Sequence, residues 1–212
     1  MSTAPHSQSL RNIIIDHISA SPQQRITFAD YMDLVLYHPE YGYYTSGTVK
    51  IGAKGDFFTA SSLGPDFGEL LAEQFVEMWE ILGYPEPFAL VEMGAGSGLL
   101  AADILQYLQH KHLNLFNVLE YIIVEQSESL IKEQKLILEK WLHQKINLSW
   151  KRWQEIPETS IVGCAFSNEL VDAFPVHQFV LKKREMKEVY VTFYENQFQE
   201  TFAEISTNQL LE

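Results

Sequence analysis

Between Phe88 and Glu169 short apolar runs of strand length alternate with longer runs of helical period, an order that few folds accept. "FALVEM", "YIIVEQ", "INLSW" and "IVGCAFSNE" read as strands, with helices over Leu99–Gln109 and Ser129–His143. Strands joined through helices form right-handed crossovers and lie parallel, so the expected fold class is α/β: a mostly parallel, Rossmann-like sheet with helices on both faces. A further helix follows Pro65, where Phe67, Leu70, Leu71, Phe75, Met78, Trp79 and Leu82 keep a spacing of three and four until Gly83-Tyr84-Pro85 breaks it.

Before this pattern, Ser9 to Ser19 reads as a short amphipathic helix, and "TFAD" as a capping box opening a helix that ends near His38-Pro39. The aromatic and glycine-rich stretch "YGYYTSGTVKIGAKGDFFTA" reads as strands and loops, and "PVHQFVLKK" with "EVYVTFYE" as consecutive strands of a hairpin. The expected division is therefore an N-terminal addition, residues 1–63, and a Rossmann-like domain, residues 64–212. A net charge of −13 repels a phosphate backbone and argues against a nucleic-acid substrate; the one basic cluster, Lys182-Lys183-Arg184, reads as a solvated turn. The single Cys164 excludes an internal disulfide and reads as a buried, inert thiol. No apolar run reaches the roughly 20 residues that a membrane span needs, and the polar start has no signal-peptide core. A cytoplasmic location is expected by default, or the mitochondrial matrix in a eukaryote.

"VEMGAGSGLL" then sets the ligand question, with Gly94, Gly96 and Gly98 at alternate positions directly after the first strand of the alternating pattern. In open α/β sheets the ligand lies outside the carboxyl ends of the strands, where bare backbone and the free N–H groups of the next helix can approach it. A dinucleotide fingerprint needs its third glycine at the sixth position, which is Leu99 here. No Gly-Lys pair followed by Ser or Thr makes a phosphate loop, and Ser97 has Ala95 and Leu99 at the positions two residues either side where a hydrolase elbow needs glycines. His38, His110, His112 and His177 fit no metal pattern, and the pair at His110 and His112 reads as a helix end, so no metal is expected.

An acid, a spacer and three alternate glycines resemble the cofactor motif of class I S-adenosylmethionine-dependent methyltransferases. "HPEYGYYTSG", "GDFFTA", "FGELLAEQF", "VEMGAGSGLLAADIL" and "SNELVDAFPVHQF" also stand in the order found in the MidA-like methyltransferases, and the likeness runs from about Ile26 to Phe179. That family includes a mitochondrial arginine methyltransferase needed to assemble respiratory complex I. The chain departs from it in having "SSLGPD" where a Pro-Glu-Ile type segment is usual, and family members continue beyond this C-terminus.

The resemblance implies S-adenosyl-L-methionine as cofactor, held by Gly94, Ala95, Gly96 and Gly98, with Glu125 and its neighbour Gln126 at the ribose and Trp153 and Gln154 beside the adenine. Glu92 either acts on the amino or sulfonium side of the cofactor or holds the loop. Asn168, Glu169 and Asp172 fall where the methyl group would be presented, as the candidate catalytic group. An acidic rim suits a guanidinium, and the implied partner is an arginine-bearing protein, a respiratory-complex subunit being one such acceptor. Tyr41, Tyr43, Tyr44, Asp56 and Phe57 read equally as a lid over the cofactor and as packing of an N-terminal subdomain. A lone Trp such as Trp153 is, however, more often core. Two other functions stay open: a non-catalytic assembly factor that keeps the fold, and a NAD-type oxidoreductase. Missing sheet strands would leave an open edge, so self-association is a further expectation.

Overall fold

The computed structural model describes residues 5–46, 64–144 and 146–211. The chain opens with α1 (Pro5–Ala20), a short strand β1 (Arg25–Thr27) and α2 (Phe28–Tyr37). Thr27 starts α2 as a capping box: its hydroxyl accepts from the Asp30 amide at 3.0 Å, and its own amide donates to the Asp30 carboxylate at 3.2 Å. Next come α3 (Asp66–Ile81), β2 (Phe88–Met93), α4 (Leu99–Lys111), α5 (Leu113–Val118), β3 (Leu119–Val124), α6 (Glu128–Ile137), α7 (Glu139–Leu142), β4 (Asn147–Lys151) and β5 (Gly163–Ser167). Strands β6 (Phe179–Lys182), β7 (Glu185–Tyr194) and β8 (Gln197–Ala203) close the chain.

Strands β2 to β5 form a parallel sheet in the order β4-β3-β2-β5, the α/β class expected. β2 takes an inner position because its Phe88, Ala89, Leu90 and Val91 are all buried, as the near-continuous apolar run of a parallel strand requires. Ile104, Leu105 and Leu108 of α4, Phe75 of α3 and Leu138 and Trp141 beyond α6 complete the core around it. At Gly68 a Cβ would lie 2.6 Å from that of Asp103, so α3 and α4 approach through a missing side chain. The single helix expected over Ser129–His143 is two, parted at Leu138 (φ −92°, ψ 7°), where both Leu138 and Trp141 face the core.

The second sheet is antiparallel and differs from the expected division. β7 pairs with β6 and β1 along one side and with β8 along the other. The compact units are therefore Met1–Thr48 with Ala173–Glu212, and Val49–Asp172, rather than 1–63 and 64–212. Pairing of Ile26 with Val191 joins segments far apart in sequence, and local periodicity carries no signal of it. Ile14, Ile18 and Val191 form this unit's own core. Lys183 and Arg184 make the turn between β6 and β7, as the solvated-turn reading expects.

Cys164 is half-buried rather than buried, because β5 pairs, among the described residues, with β2 alone. Among the described residues no helix is long and apolar enough to cross a membrane. At the start of β5, a Cβ on Gly163 would collide with the carbonyl oxygen of Ala89, its partner in the ladder. Gly163→Ala should push the two strands apart and lower the unfolding free energy by roughly 2–3 kcal/mol, read from urea denaturation.

Candidate functional site

The register of the parallel sheet places the carboxyl ends of its strands side by side. Lys151 pairs with Val124, Val124 with Met93, and Met93 with Ser167, so Glu125, Gly94 and Asn168 are the first residues past three adjacent strand ends. Neighbouring strands lie about 4.8 Å apart, so the glycine turn is flanked by Glu125 on one side and Asn168 on the other.

Gly94, Gly96 and Gly98 all lie in the left-handed region, at φ +68°, +55° and +89°. That answers why the glycines alternate: the chain leaves β2 through three left-handed residues that a side chain would strain. Ala95 and Ser97 between them are buried, and no side chain caps the start of α4 at Gly98. The first turn of α4 therefore offers amide donors and the positive end of its dipole beside bare backbone.

Glu125 stands between β3 and α6. One carboxylate oxygen accepts from the amides of Gln126 at 2.8 Å and Ser127 at 3.0 Å, and the other from the Gln134 side chain at 3.3 Å. Gln126 is exposed, and so are Trp153 and Gln154, in the 3-10 turn Trp153–Glu155 after β4. Trp153 is thus a surface side chain and not core; Trp150 holds the core place instead.

On the other flank the turn after β5 reaches over the glycines. A Cβ on Gly94 would lie 2.6 Å from Leu170 Cδ1, so the "SNEL" turn and the glycine turn are packed together. Glu169 is exposed and holds φ +53°, a left-handed conformation that a non-glycine residue adopts at a cost and that recurs at functional sites. Asn168 is half-buried; Asp172 is exposed in the 3-10 turn Val171–Ala173.

Glu92 is drawn inward rather than toward a ligand surface. It is buried within β2 and accepts a hydrogen bond from the Tyr121 hydroxyl at 2.7 Å, an arrangement that favours the loop-holding alternative. Burial pushes its carboxyl up to about 7, against the Tyr121 bond, which favours the ionised form. Tyr41, Tyr43 and Tyr44 belong to the other unit, where Tyr44 stacks on Tyr37 and meets Tyr43 edge-on, in line with subdomain packing. Asp56, Phe57 and the "GDFFTA" segment lie outside the described residues. His112 follows α4 and meets Glu73 at 2.9 Å; among the described residues no group of His, Cys, Asp and Glu could hold a metal ion.

Two contributors carry no motif signal: Tyr121 and Gln134. A tyrosine in an apolar strand run reads as core, and Gln134 in "IKEQKL" reads as one more polar helix residue. Only the fold turns Gln134 inward, to full burial against the Gly96 carbonyl at 2.8 Å.

Residues 70–212 match the family described as "putative S-adenosyl-L-methionine-dependent methyltransferase". "Protein arginine methyltransferase NDUFAF7, mitochondrial" of Mus musculus is 34% identical over 201 residues, which cover 86% of this chain and 45% of that protein. The Homo sapiens protein of the same name is 33% identical over 208 residues, 88% of this chain and 45% of the relative. A crystal structure of a Burkholderia thailandensis protein bound to S-adenosyl-homocysteine superposes with a TM-score of 0.80 at 25% identity, covering 99% of this chain and 54% of that one. The chain thus spans about half the length of the relatives it matches.

The buried acid has a consequence for stability. Glu92 keeps its proton to about pH 7 in the folded chain but only to about 4.5 once unfolded, so its contribution is full below pH 4.5 and is lost as pH rises through 7. Glu92→Gln keeps an acceptor for Tyr121 and removes the titration. The unfolding free energy from urea denaturation should match wild type near pH 4.5 and exceed it by about 3 kcal/mol at pH 8; equal stabilities at both pH values would contradict the assignment.

Proposed function

The chain belongs to the MidA-like family of S-adenosyl-L-methionine-dependent methyltransferases, and from that premise we propose that it binds this cofactor over the ends of β2 and β3 and methylates a nitrogen of a protein arginine. The observation that carries the reading is the left-handed glycine turn, flanked in register by Glu125 and packed under the turn that bears Glu169.

The residues fit the cofactor's chemistry. The bare backbone of Gly94–Gly98 admits close approach, the uncapped start of α4 offers donors to a carboxylate, and Glu125 offers acceptors to the two ribose hydroxyls. Ala95 adds a small buried contact, and Gln126, Trp153 and Gln154 offer an exposed rim for the adenine. Bound there, the cofactor supplies an electrophilic methyl carbon on a sulfonium sulfur. Glu169 binds and orients the acceptor guanidinium and takes up the proton that its nitrogen gives up, while Asn168 and Asp172 complete the polar rim. Placement and charge then do most of the catalytic work.

The acceptor is a protein, since the relatives named above are protein arginine methyltransferases. A respiratory-complex subunit is the partner that the family resemblance implies. Those relatives are mitochondrial by name, and one half-buried thiol suits a reducing compartment such as the matrix or a bacterial cytoplasm.

Calorimetry with S-adenosylmethionine and with NADH tests the cofactor. Tight binding of the first and none of the second is expected; the reverse would favour the oxidoreductase. Gly96→Val should abolish binding, because a β-branched residue resists φ +55° and fills the ligand's space. Glu125→Ala should weaken it at least tenfold, each bond to a charged acceptor being worth about 1.5–3 kcal/mol. Methyl transfer from labelled cofactor to proteins of a cell extract tests the chemistry. Glu169→Gln should leave affinity within a few-fold and slow transfer by roughly a hundredfold. Collapse of affinity at an unchanged rate would make Glu169 a cofactor ligand, and binding with no transfer at all would favour a non-catalytic assembly factor.

A further inference from the structure

Gln134 lies outside every motif that points to the site, yet its side chain is fully buried on α6 and joins three parts of it. The side-chain nitrogen donates to the Gly96 carbonyl at 2.8 Å and to the Glu125 carboxylate at 3.3 Å. The side-chain oxygen accepts from the Trp150 indole N–H of β4 at 2.8 Å. These partners dictate the orientation of the amide. An indole N–H can only donate, whereas a peptide carbonyl and a carboxylate can only accept, so a flipped amide would lose all three bonds. The stem is engaged as well: the Gln134 Cγ, Cα and Cβ lie 3.3, 3.4 and 3.5 Å from where a Cβ on Gly98 would stand.

We propose that Gln134 is a positioning residue for the cofactor, fixing the glycine turn and the Glu125 carboxylate relative to each other and thereby setting affinity for the ribose end. The inference rests on the reading that S-adenosylmethionine binds here. Gln134 itself is sealed from solvent and acts through Gly96 and Glu125. With one Glu125 oxygen held by the Gln126 and Ser127 amides and the other by Gln134, the carboxylate cannot swing. A ligand diol then meets acceptors already in place and spends less of its binding energy on ordering them. Core packing alone would ask only for volume, and an unbranched apolar side chain would supply that as well.

The test compares Gln134→Met with wild type in S-adenosylhomocysteine affinity by calorimetry and in hydrogen exchange at the Gly96–Gly98 amides of the free protein. The Met variant should bind at least tenfold more weakly, exchange faster at those amides, and still unfold in one cooperative step. Adding Glu125→Gln to it should cost less than Glu125→Gln costs in wild type, since the two act as one unit. A merely structural role would leave the two costs additive, and unchanged affinity with unchanged exchange would overturn the proposal. Should Gln134→Met fail to fold, Trp150→Phe removes the indole donor together with some core volume, and a cooperative unfolding step checks that the fold survives; it should weaken binding several-fold, and unchanged affinity there also overturns the proposal. If wild type itself does not bind S-adenosylhomocysteine, the proposed function falls, and exchange at Gly96–Gly98 alone then decides whether Gln134 holds the turn.

Discussion

The confinement of β2 governs everything that follows it in the chain. The strand is buried along its length and paired in parallel with β3 on one side and β5 on the other. Its backbone can leave the sheet only at the carboxyl end, beside the ends of both neighbours. Three left-handed residues make that exit without a side chain to clash with the Leu170 turn or with Gln134. Parallel register then fixes what stands beside the exit: Glu125 one strand over, Asn168 and Glu169 on the other flank. The arrangement is therefore a product of strand pairing, which explains how residues 31, 74 and 75 positions away from Gly94 come to stand at one place.

Beneath this surface lie two buried polar side chains, Glu92 and Gln134, each with a partner that its chemistry requires. Glu92 has its carboxyl raised to about 7 by burial and is bonded by Tyr121, across the same two strands whose ends carry the glycine turn and Glu125. Gln134 spans from the glycine turn through Glu125 to β4. Buried amides and carboxyls are costly when unpaired, so such groups resist displacement and hold the backbone above them in one geometry. Rigidity below and bare backbone above are what binding a flexible ligand tightly demands.

The sequence made the α/β class legible because apolar runs of strand length and helical length alternate, and made the glycine turn legible because three glycines follow a strand. Glu125 could be read for the same reason: it is the first acid past the second strand. Gln134 could not be read, since "IKEQKL" has the look of a solvated helix face and only the approach of α6 to β3 and β4 turns it inward. The grouping of residues 173–212 with the N-terminal helices was equally hidden, because β1 reaches β7 across most of the chain. Cys164 and Trp153 misled in the same direction. An apolar run suggested burial for a thiol on a strand that pairs, among the described residues, with β2 alone, and a lone aromatic suggested a core place for a side chain that stands in solvent. Composition reports what a residue prefers, and topology decides what it receives.

The two flanks of the glycine turn differ in a way that bears on how such a site divides its work. Glu125 has both carboxylate oxygens engaged by the fold itself, through two backbone amides and the buried Gln134. Glu169 stands exposed on a turn that holds it in a left-handed conformation. Changes at the first propagate into the core, whereas changes at the second are tolerated by the fold and alter only what meets the surface. On the proposed reading, cofactor recognition falls on the side that stability protects, and acceptor recognition on the side free to vary. One scaffold can thereby keep a single cofactor while its acceptor changes, because the strain at Glu169 is local and can be re-aimed without disturbing the sheet.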